Sequence, residues 1–137
     1  MASKTATAGP DADRQAVLDV LARLYRAREA GDAETFAAGY TENASMIQPG
    51  VYGKDGEEIR TNMAAAFAGP LNGSRGAARP VNVRFLTGDT AIVVSQDRII
   101  FPGQHAVASE RLVRATWVLV RRDGGWRIAS YHNSLAS

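Results

Sequence analysis

The sequence predicts an α+β fold, in which helices come first and a sheet of long strands follows. In the first half of the chain, apolar residues recur at helical spacing, and in the second half apolar and polar residues alternate. Turn residues separate the alternating runs. A curved sheet wrapped around the helices would bury both sets of apolar side chains. The 137 residues fit one domain, and 45% hydrophobic residues are enough for its core.

Three helices are predicted before the sheet. The first spans about residues 12–30, where an apolar stripe repeats at helical spacing. A shorter second helix begins after the N-cap Asp32 and ends near residues 41–43. The third begins at Asp55, which forms a capping pair with a following glutamate, and ends at Gly69.

The remaining segments are predicted as strands and turns. Short strands cover residues 44–48 and 51–52, and a Gly- and Ala-rich loop covers residues 71–79. Longer strands are expected over residues 80–87, 90–101 and 107–122, the last with a bulge near Glu110, followed by a final strand that begins at Trp126.

The closing hairpin is the strongest local signal. Its turn, Asp123-Gly-Gly, separates two alternating runs. Strict alternation places four residues of the last strand on one face: Trp126, Ile128, Ser130 and His132. A histidine at the end of a core-facing row indicates a pocket.

The residue opposite His132 depends on the length of this turn. A two-residue loop places Ala115 there, with Trp117 on the same face. A three-residue loop places Thr116 there instead. The sequence leaves both registers open.

Composition excludes several classes of protein. The net charge is +2 without a basic cluster, which argues against nucleic-acid binding. The absence of cysteine excludes disulfides and thiolate chemistry. The two histidines lack metal-ligand spacing, which excludes a histidine-rich metal site but not a carboxylate site; we expect no metal. No phosphate-binding glycine loop follows a strand, and we therefore expect no cofactor. No apolar run is long enough to cross a membrane.

The polar first residues predict a disordered tail over 1–12, and a single domain over 13–137. Because they lack the apolar core of a signal peptide, we expect the protein to be cytoplasmic. His105, beside a Pro-Gly turn, is expected to be an exposed loop residue.

Three stretches resemble the nuclear-transport-factor-2-like superfamily, and in particular its SnoaL-like members. They are Glu29-Ala-Gly-Asp-Ala-Glu-Thr-Phe36, Tyr40-Thr-Glu-Asn-Ala44 and Asp123-Gly-Gly-Trp-Arg-Ile-Ala-Ser-Tyr-His-Asn-Ser134. The last is similar to the SgcJ/EcaC group, some of whose members belong to enediyne antibiotic gene clusters. The resemblance covers about residues 13–134.

The resemblance implies a cone-shaped roll, in which a strongly curved mixed or antiparallel sheet wraps around three N-terminal helices and encloses a pocket. It also implies a hydrophobic, polyketide-type ligand of secondary metabolism and cofactor-free isomerisation, cyclisation or dehydration. The alternative is a non-catalytic binding, chaperone or interaction subunit. A homodimer is expected through the outer sheet face, formed by Arg127, Ala129, Tyr131 and Asn133.

His132 and Asp97 are the candidate catalytic residues, as a base or donor and its acidic partner. Four polar residues interrupt the strand over 90–101, and alternation turns either Ser95 and Asp97 or Gln96 and Arg98 inward. The candidate ligand-binding residues are Tyr25, Tyr40, Gln48, Tyr52, Phe67, Gln96, Arg98, Thr116 and Trp117.

Overall fold

A computed structural model describes residues 10–103 and 112–136 of the chain. In this part the helices are α1 (Pro10–Ala30), α2 (Ala33–Ala38) and α3 (Gly56–Ala68). The strands are β1 (Tyr40–Gln48), β2 (Val51–Gly53), β3 (Arg75–Thr87), β4 (Thr90–Ile100), β5 (Val113–Arg122) and β6 (Gly125–Leu135). None of these helices is both long enough and apolar enough to cross a membrane.

The six strands form one mixed sheet in the order β2-β1-β6-β5-β4-β3. The β1–β6 pair is parallel, and every other pair is antiparallel. Apolar residues from all three helices pack with residues from the inner face of the sheet into one core. The arrangement agrees with the predicted α+β roll.

Capping residues set the starts of α2 and α3 as the sequence predicts. The side chain of Asp32 accepts a hydrogen bond from the Thr35 N–H group at 3.0 Å. At the third helix, the Asp55 side chain accepts from the Glu58 N–H group at 2.9 Å. The Glu58 side chain in turn accepts from the backbone N–H of Lys54 at 3.0 Å, which completes a reciprocal cap.

Three predicted boundaries are wrong. Helix α1 begins at Pro10, so residues 10–12 are helical instead of part of a tail. Helix α2 ends at Ala38, and Tyr40 opens β1 because it pairs with the last strand. Strand β3 begins inside the predicted loop, at Arg75, because sheet pairing with β4 overrides its Gly- and Ala-rich composition.

The last hairpin combines a two-residue turn with a β-bulge. Asp123 and Gly124 have φ angles of 51° and 80°, and Arg122 pairs with Gly125 across them. Further along β6, the register shifts at Ala129, which has no partner of its own. The bulge moves every later residue of β6 to the face opposite the predicted one.

The bulge therefore changes which residue lies opposite His132. Thr116 is its partner, although the short turn alone would have selected Ala115. Trp126 and Ile128 face the core, as predicted, whereas His132 is exposed on the outer face. The predicted bulge near Glu110 and the position of His105 lie outside the described residues.

The positive φ at Gly124 generates a stability prediction. Replacement of Gly124 by Ala should lower the free energy of unfolding by about 1 kcal/mol, because an L side chain is strained in the left-handed region. Urea denaturation measures the change. The control is Gly88→Ala in the turn between β3 and β4, where φ is not positive and the added methyl group meets no atom within 4 Å. It should change stability by less than about 0.5 kcal/mol; equal losses in both variants would contradict the turn assignment.

Candidate functional site

A cavity of about 50 Å³ lies between the helices and the inner face of the sheet. Its apolar lining comes from Leu24, Phe36, Met46, Met63, Leu71, Ile99, Val113 and Trp117. Its polar lining comes from Tyr25, Arg28, Tyr40, Gln48, Arg98, Tyr131 and Asn133. An apolar cavity with a few convergent polar groups is the usual form of a small-molecule site.

A buried carboxylate lies behind two tyrosines that line this cavity. Asp97 on β4 is 3% exposed. Its Oδ2 atom accepts hydrogen bonds from the hydroxyl groups of Tyr25 at 3.0 Å and Tyr131 at 3.2 Å. Its Oδ1 atom accepts from the Ser95 hydroxyl at 2.7 Å. These bonds connect helix α1 to strands β4 and β6.

A second set of contacts holds the donors in place. The indole N–H of Trp117 donates to the Ser95 hydroxyl at 2.8 Å, and the Asn133 amide donates to the Tyr131 hydroxyl at 2.8 Å. The rings of Trp117 and Tyr131 also pack together, with centroids 4.3 Å apart. These contacts therefore restrain the orientation of the Ser95 and Tyr131 hydroxyl groups.

Burial controls the protonation of this network. It raises the pKa of Asp97 above its usual value, while hydrogen bonds from Ser95, Tyr25 and Tyr131 lower it in part. Burial also raises the pKa values of Tyr25 and Tyr131, and the nearby Asp97 carboxylate raises both further. The two tyrosines therefore remain protonated donors at neutral pH.

Two cavity residues carry buried donors without partners. Both terminal nitrogens of the Arg28 guanidinium and the hydroxyl of Tyr40 have no hydrogen-bond partner among the described residues. Burial lowers the pKa of Arg28 and raises the pKa of Tyr40 well above its usual value. Such donors can stabilise negative charge on a ligand that enters the cavity.

Five of the predicted ligand-binding residues line the cavity: Tyr25, Tyr40, Gln48, Arg98 and Trp117. The sequence left open which polar residues of β4 face inward, and in the structure these are Ser95 and Asp97. Gln96 faces the other way and accepts a hydrogen bond from Arg79 at 3.1 Å. The side chain of Phe67 is buried against Phe36, but it is not part of the cavity lining.

The outer face holds the other predicted residues. His132 and Thr116 are exposed there, and Tyr52 is 63% exposed. The prediction that His132 continues the inner row of Trp126 is wrong because the bulge at Ala129 reverses the alternation. The structure therefore does not bring His132 and Asp97 together.

The same bulge corrects the predicted outer face. Tyr131 and Asn133 were expected there, but Tyr131 is buried and both line the cavity. Sequence reasoning also missed Arg28. A signal for it exists, because it follows Val17, Leu21 and Leu24 at helical spacing and so belongs to the stripe that faces the core.

The described residues contain no group of three or more His, Asp or Glu side chains arranged to hold a metal ion. The polar groups that converge at the cavity are instead a carboxylate, tyrosine hydroxyls, amides and guanidinium groups. This set can donate hydrogen bonds, hold an anion and transfer protons.

Together, the fold and the cavity define a class of small α+β proteins in which a sheet and three helices enclose a mostly apolar site with a few polar groups. The sequence profile of the SnoaL-like domain matches residues 17–137. The chain belongs to this SnoaL-like family, within the NTF2-like superfamily. No curated protein matches the chain significantly.

Solved structures support the same assignment and confirm the predicted fold class. A domain of unknown function with a cystatin-like fold from Nostoc punctiforme is 28% identical, with a TM-score of 0.86, over 94% of this chain and 80% of its own. A candidate dehydratase of the NTF2-like family from Streptomyces avermitilis is 26% identical, with a TM-score of 0.76, over 94% of this chain and 99% of its own. An NTF2-like protein from Novosphingobium aromaticivorans is 22% identical, with a TM-score of 0.79, over 91% of this chain and 82% of its own.

The raised pKa of Asp97 predicts how stability depends on pH. Because the folded-state pKa exceeds the unfolded one, the stability from Asp97 is fully present below the unfolded pKa and is lost as pH rises through the folded value. We compare wild type with Asp97→Asn by urea denaturation between acidic and neutral pH. The free energy of unfolding of wild type minus that of the variant should fall as pH rises and then level off. A difference that increases with pH would contradict the dominance of burial.

Proposed function

We propose that the protein binds a small hydrophobic molecule in the cavity and catalyses a cofactor-free proton transfer within it. The observation that carries this proposal is the buried Asp97 carboxylate, which is hydrogen-bonded to the lining residues Tyr25 and Tyr131. A buried carboxylate with a raised pKa is suited to accept a proton near neutral pH.

Proton transfer would proceed through a tyrosine. Tyr131 lines the cavity and donates to Asp97, which is not itself a lining residue. In the proposed step, the Tyr131 oxygen takes a proton from a ligand carbon as the Tyr131 hydroxyl proton passes to Asp97. The electron pair left on carbon becomes an enolate, whose oxygen accepts a hydrogen bond from the polar lining of the cavity. Return of the proton to another carbon completes an isomerisation.

Dehydration uses the same first step. Instead of being reprotonated on carbon, the enolate expels hydroxide from the adjacent carbon, which leaves a carbon–carbon double bond. The expelled hydroxide takes up a proton and becomes water. The similarity to the Streptomyces avermitilis protein, described as a candidate dehydratase, supports this version of the chemistry. Cyclisation would instead use the enolate carbon as a nucleophile toward a carbonyl group of the same ligand.

We further propose that the natural ligand is a polyketide-type intermediate of secondary metabolism. The resemblance of residues 123–134 to the SgcJ/EcaC group supports an enediyne pathway as its source. The cavity of about 50 Å³ holds only a compact part of such a molecule. Side chains lining the cavity must therefore move when a larger ligand enters.

Binding without catalysis is the competing function, as in a chaperone or a subunit that sequesters a pathway intermediate. The observation that favours it is that Tyr25 and Tyr131 separate Asp97 from the cavity. The two functions differ in one measurable respect. Only the enzyme accelerates proton transfer in a molecule that it binds.

The test uses 4-penten-2-one, a compact ketone whose isomerisation to the conjugated 3-penten-2-one is followed by ultraviolet absorbance. Wild type should accelerate the reaction, and Tyr131→Phe should lower kcat at least about 100-fold, because the relay loses its hydroxyl. The matched control is His132→Ala, an exposed position on the outer face, which should retain the rate within about twofold.

Ligand binding is measured in parallel by NMR titration. If wild type binds the ketone without accelerating its isomerisation, the non-catalytic function is correct. If His132→Ala removes the activity while Tyr131→Phe retains it, the proposed relay is wrong.

We also propose that two copies of the chain form a homodimer through the outer sheet face. A row of paired residues crosses this face through Tyr52, Ile47, His132 and Thr116. Ile47 is 39% exposed and Tyr52 is 63% exposed, so the row presents apolar surface that a second copy would cover.

A charge in this row should prevent association. In a two-fold interface, Ile47→Glu introduces two buried like charges, so we expect monomers at micromolar concentration in sedimentation equilibrium. Ile47→Val is the matched control and should sediment as wild type does. A monomeric wild type would contradict the proposed interface.

A further inference from the structure

We infer that the cavity is an anion site, and that its ligand carries a carboxylate group bound by Arg28 and Tyr40. This inference rests on the proposed function, because it requires that the cavity takes a small molecule. It goes further by naming the chemical group that the molecule must present.

Unpartnered polar atoms concentrate at this cavity. Among the described residues, five buried side-chain atoms have no hydrogen-bond partner. Four of the five belong to Arg28, Tyr40 and Asn133, and all three residues line the cavity. Buried polar groups in folded proteins are nearly always paired, so the unpaired donors of Arg28 and Tyr40 around one space indicate a site that binds a polar ligand.

Of these groups, the Arg28 guanidinium has the largest free-energy penalty for being buried without a partner. Arg28 is 8% exposed, and both of its terminal nitrogens lack a partner among the described residues. It forms no ion pair with a described carboxylate. Asp97 accepts from serine and tyrosine hydroxyls, and the exposed Glu29, next in the chain, attracts the guanidinium without pairing with it. A buried cation without a counter-ion is strongly unfavourable, and an anionic ligand would remove that penalty.

Strand β3 leaves room for this side chain. A Cβ atom built on Gly76 would lie 3.1 Å from both Arg28 Cζ and Arg28 Nη1. The absence of a side chain at Gly76 therefore lets the guanidinium lie close against the strand, and a methyl group there would require it to shift. The position of the cation is thus set by the backbone of the sheet as well as by helix α1.

The available donors match a carboxylate. A guanidinium presents two parallel N–H groups, which suit the two oxygens of a carboxylate, and the Tyr40 hydroxyl adds a third donor. The small volume of the cavity favours a compact anionic group. The apolar lining near it, including Leu24 and Met63, suits a hydrocarbon remainder.

The test compares propionate with propionamide, a neutral molecule of nearly the same shape, by NMR titration in chloride-free buffer. Wild type should bind propionate at least about tenfold more tightly than propionamide. Arg28→Met should abolish this preference, and Gly76→Ala should reduce it by displacing the guanidinium. Arg26→Met, an exposed position on the same helix, is the matched control and should retain the preference.

Thermal unfolding without ligand provides a second readout. Arg28→Met should unfold at a higher temperature than wild type, because it removes a buried charge that has no partner. A purely structural arginine would give the opposite result. A lower unfolding temperature in Arg28→Met together with an unchanged propionate preference would overturn the inference.

The failure of this inference is distinguishable from that of the proposed function. Equal affinity of wild type for propionate and propionamide, or binding of neither, shows that the cavity does not select a carboxylate. Isomerisation of 4-penten-2-one by the same sample would then leave the proton-transfer function standing. Loss of both activities would overturn both proposals.

Discussion

One unpaired residue in the last strand determines the chemistry of the cavity. Before Ala129, the core-facing residues of β6 are Trp126 and Ile128; after it, Tyr131 is buried and Asn133 lines the cavity. Because side chains alternate along a strand, a single additional residue exchanges the two faces for the rest of its length. The bulge therefore brings a tyrosine hydroxyl within 3.2 Å of the Asp97 carboxylate and leaves the neighbouring histidine in solvent. Bulges often redirect side chains next to functional sites, and this one has that effect.

The Asp97 network also connects elements that are distant in the sequence. Tyr25 comes from α1, Ser95 and Asp97 from β4, and Tyr131 from β6. Hydrogen bonds to a charged acceptor are stronger than neutral ones, so this buried carboxylate restrains the helix against the sheet as well as the side chains that line the cavity. The desolvation that raises the pKa of Asp97 opposes this gain. The network is therefore better explained by the positions it imposes on the tyrosines than by the stability it adds.

Local signals predicted the parts of the fold that depend on neighbouring residues. The caps Asp32 and Asp55 and a turn within Asp123-Gly-Gly were predicted because a few adjacent side chains determine them, although the length of the turn stayed open. The register of β6 was not, since a bulge depends on packing across several strands and Ala129 carries no distinctive side chain. The alternation around Asp97 stayed open for a related reason, because four consecutive polar residues erase the pattern that marks the inner face. Arg28 was predictable from helical spacing, but only if a charged residue is accepted within an apolar stripe.

The separation of Arg28 from Asp97 gives the cavity its electrostatic character. Had the two side chains paired, each would have neutralised the other, and the cavity would present only neutral groups. Instead, tyrosine and serine hydroxyls solvate the carboxylate, while the terminal nitrogens of the guanidinium stay unpaired among the described residues. Each of these burials opposes folding, and folded domains are stable by only about 5–15 kcal/mol. An anion bound at Arg28 would relieve one of the two penalties, so occupancy of the cavity and stability of the fold are thermodynamically linked.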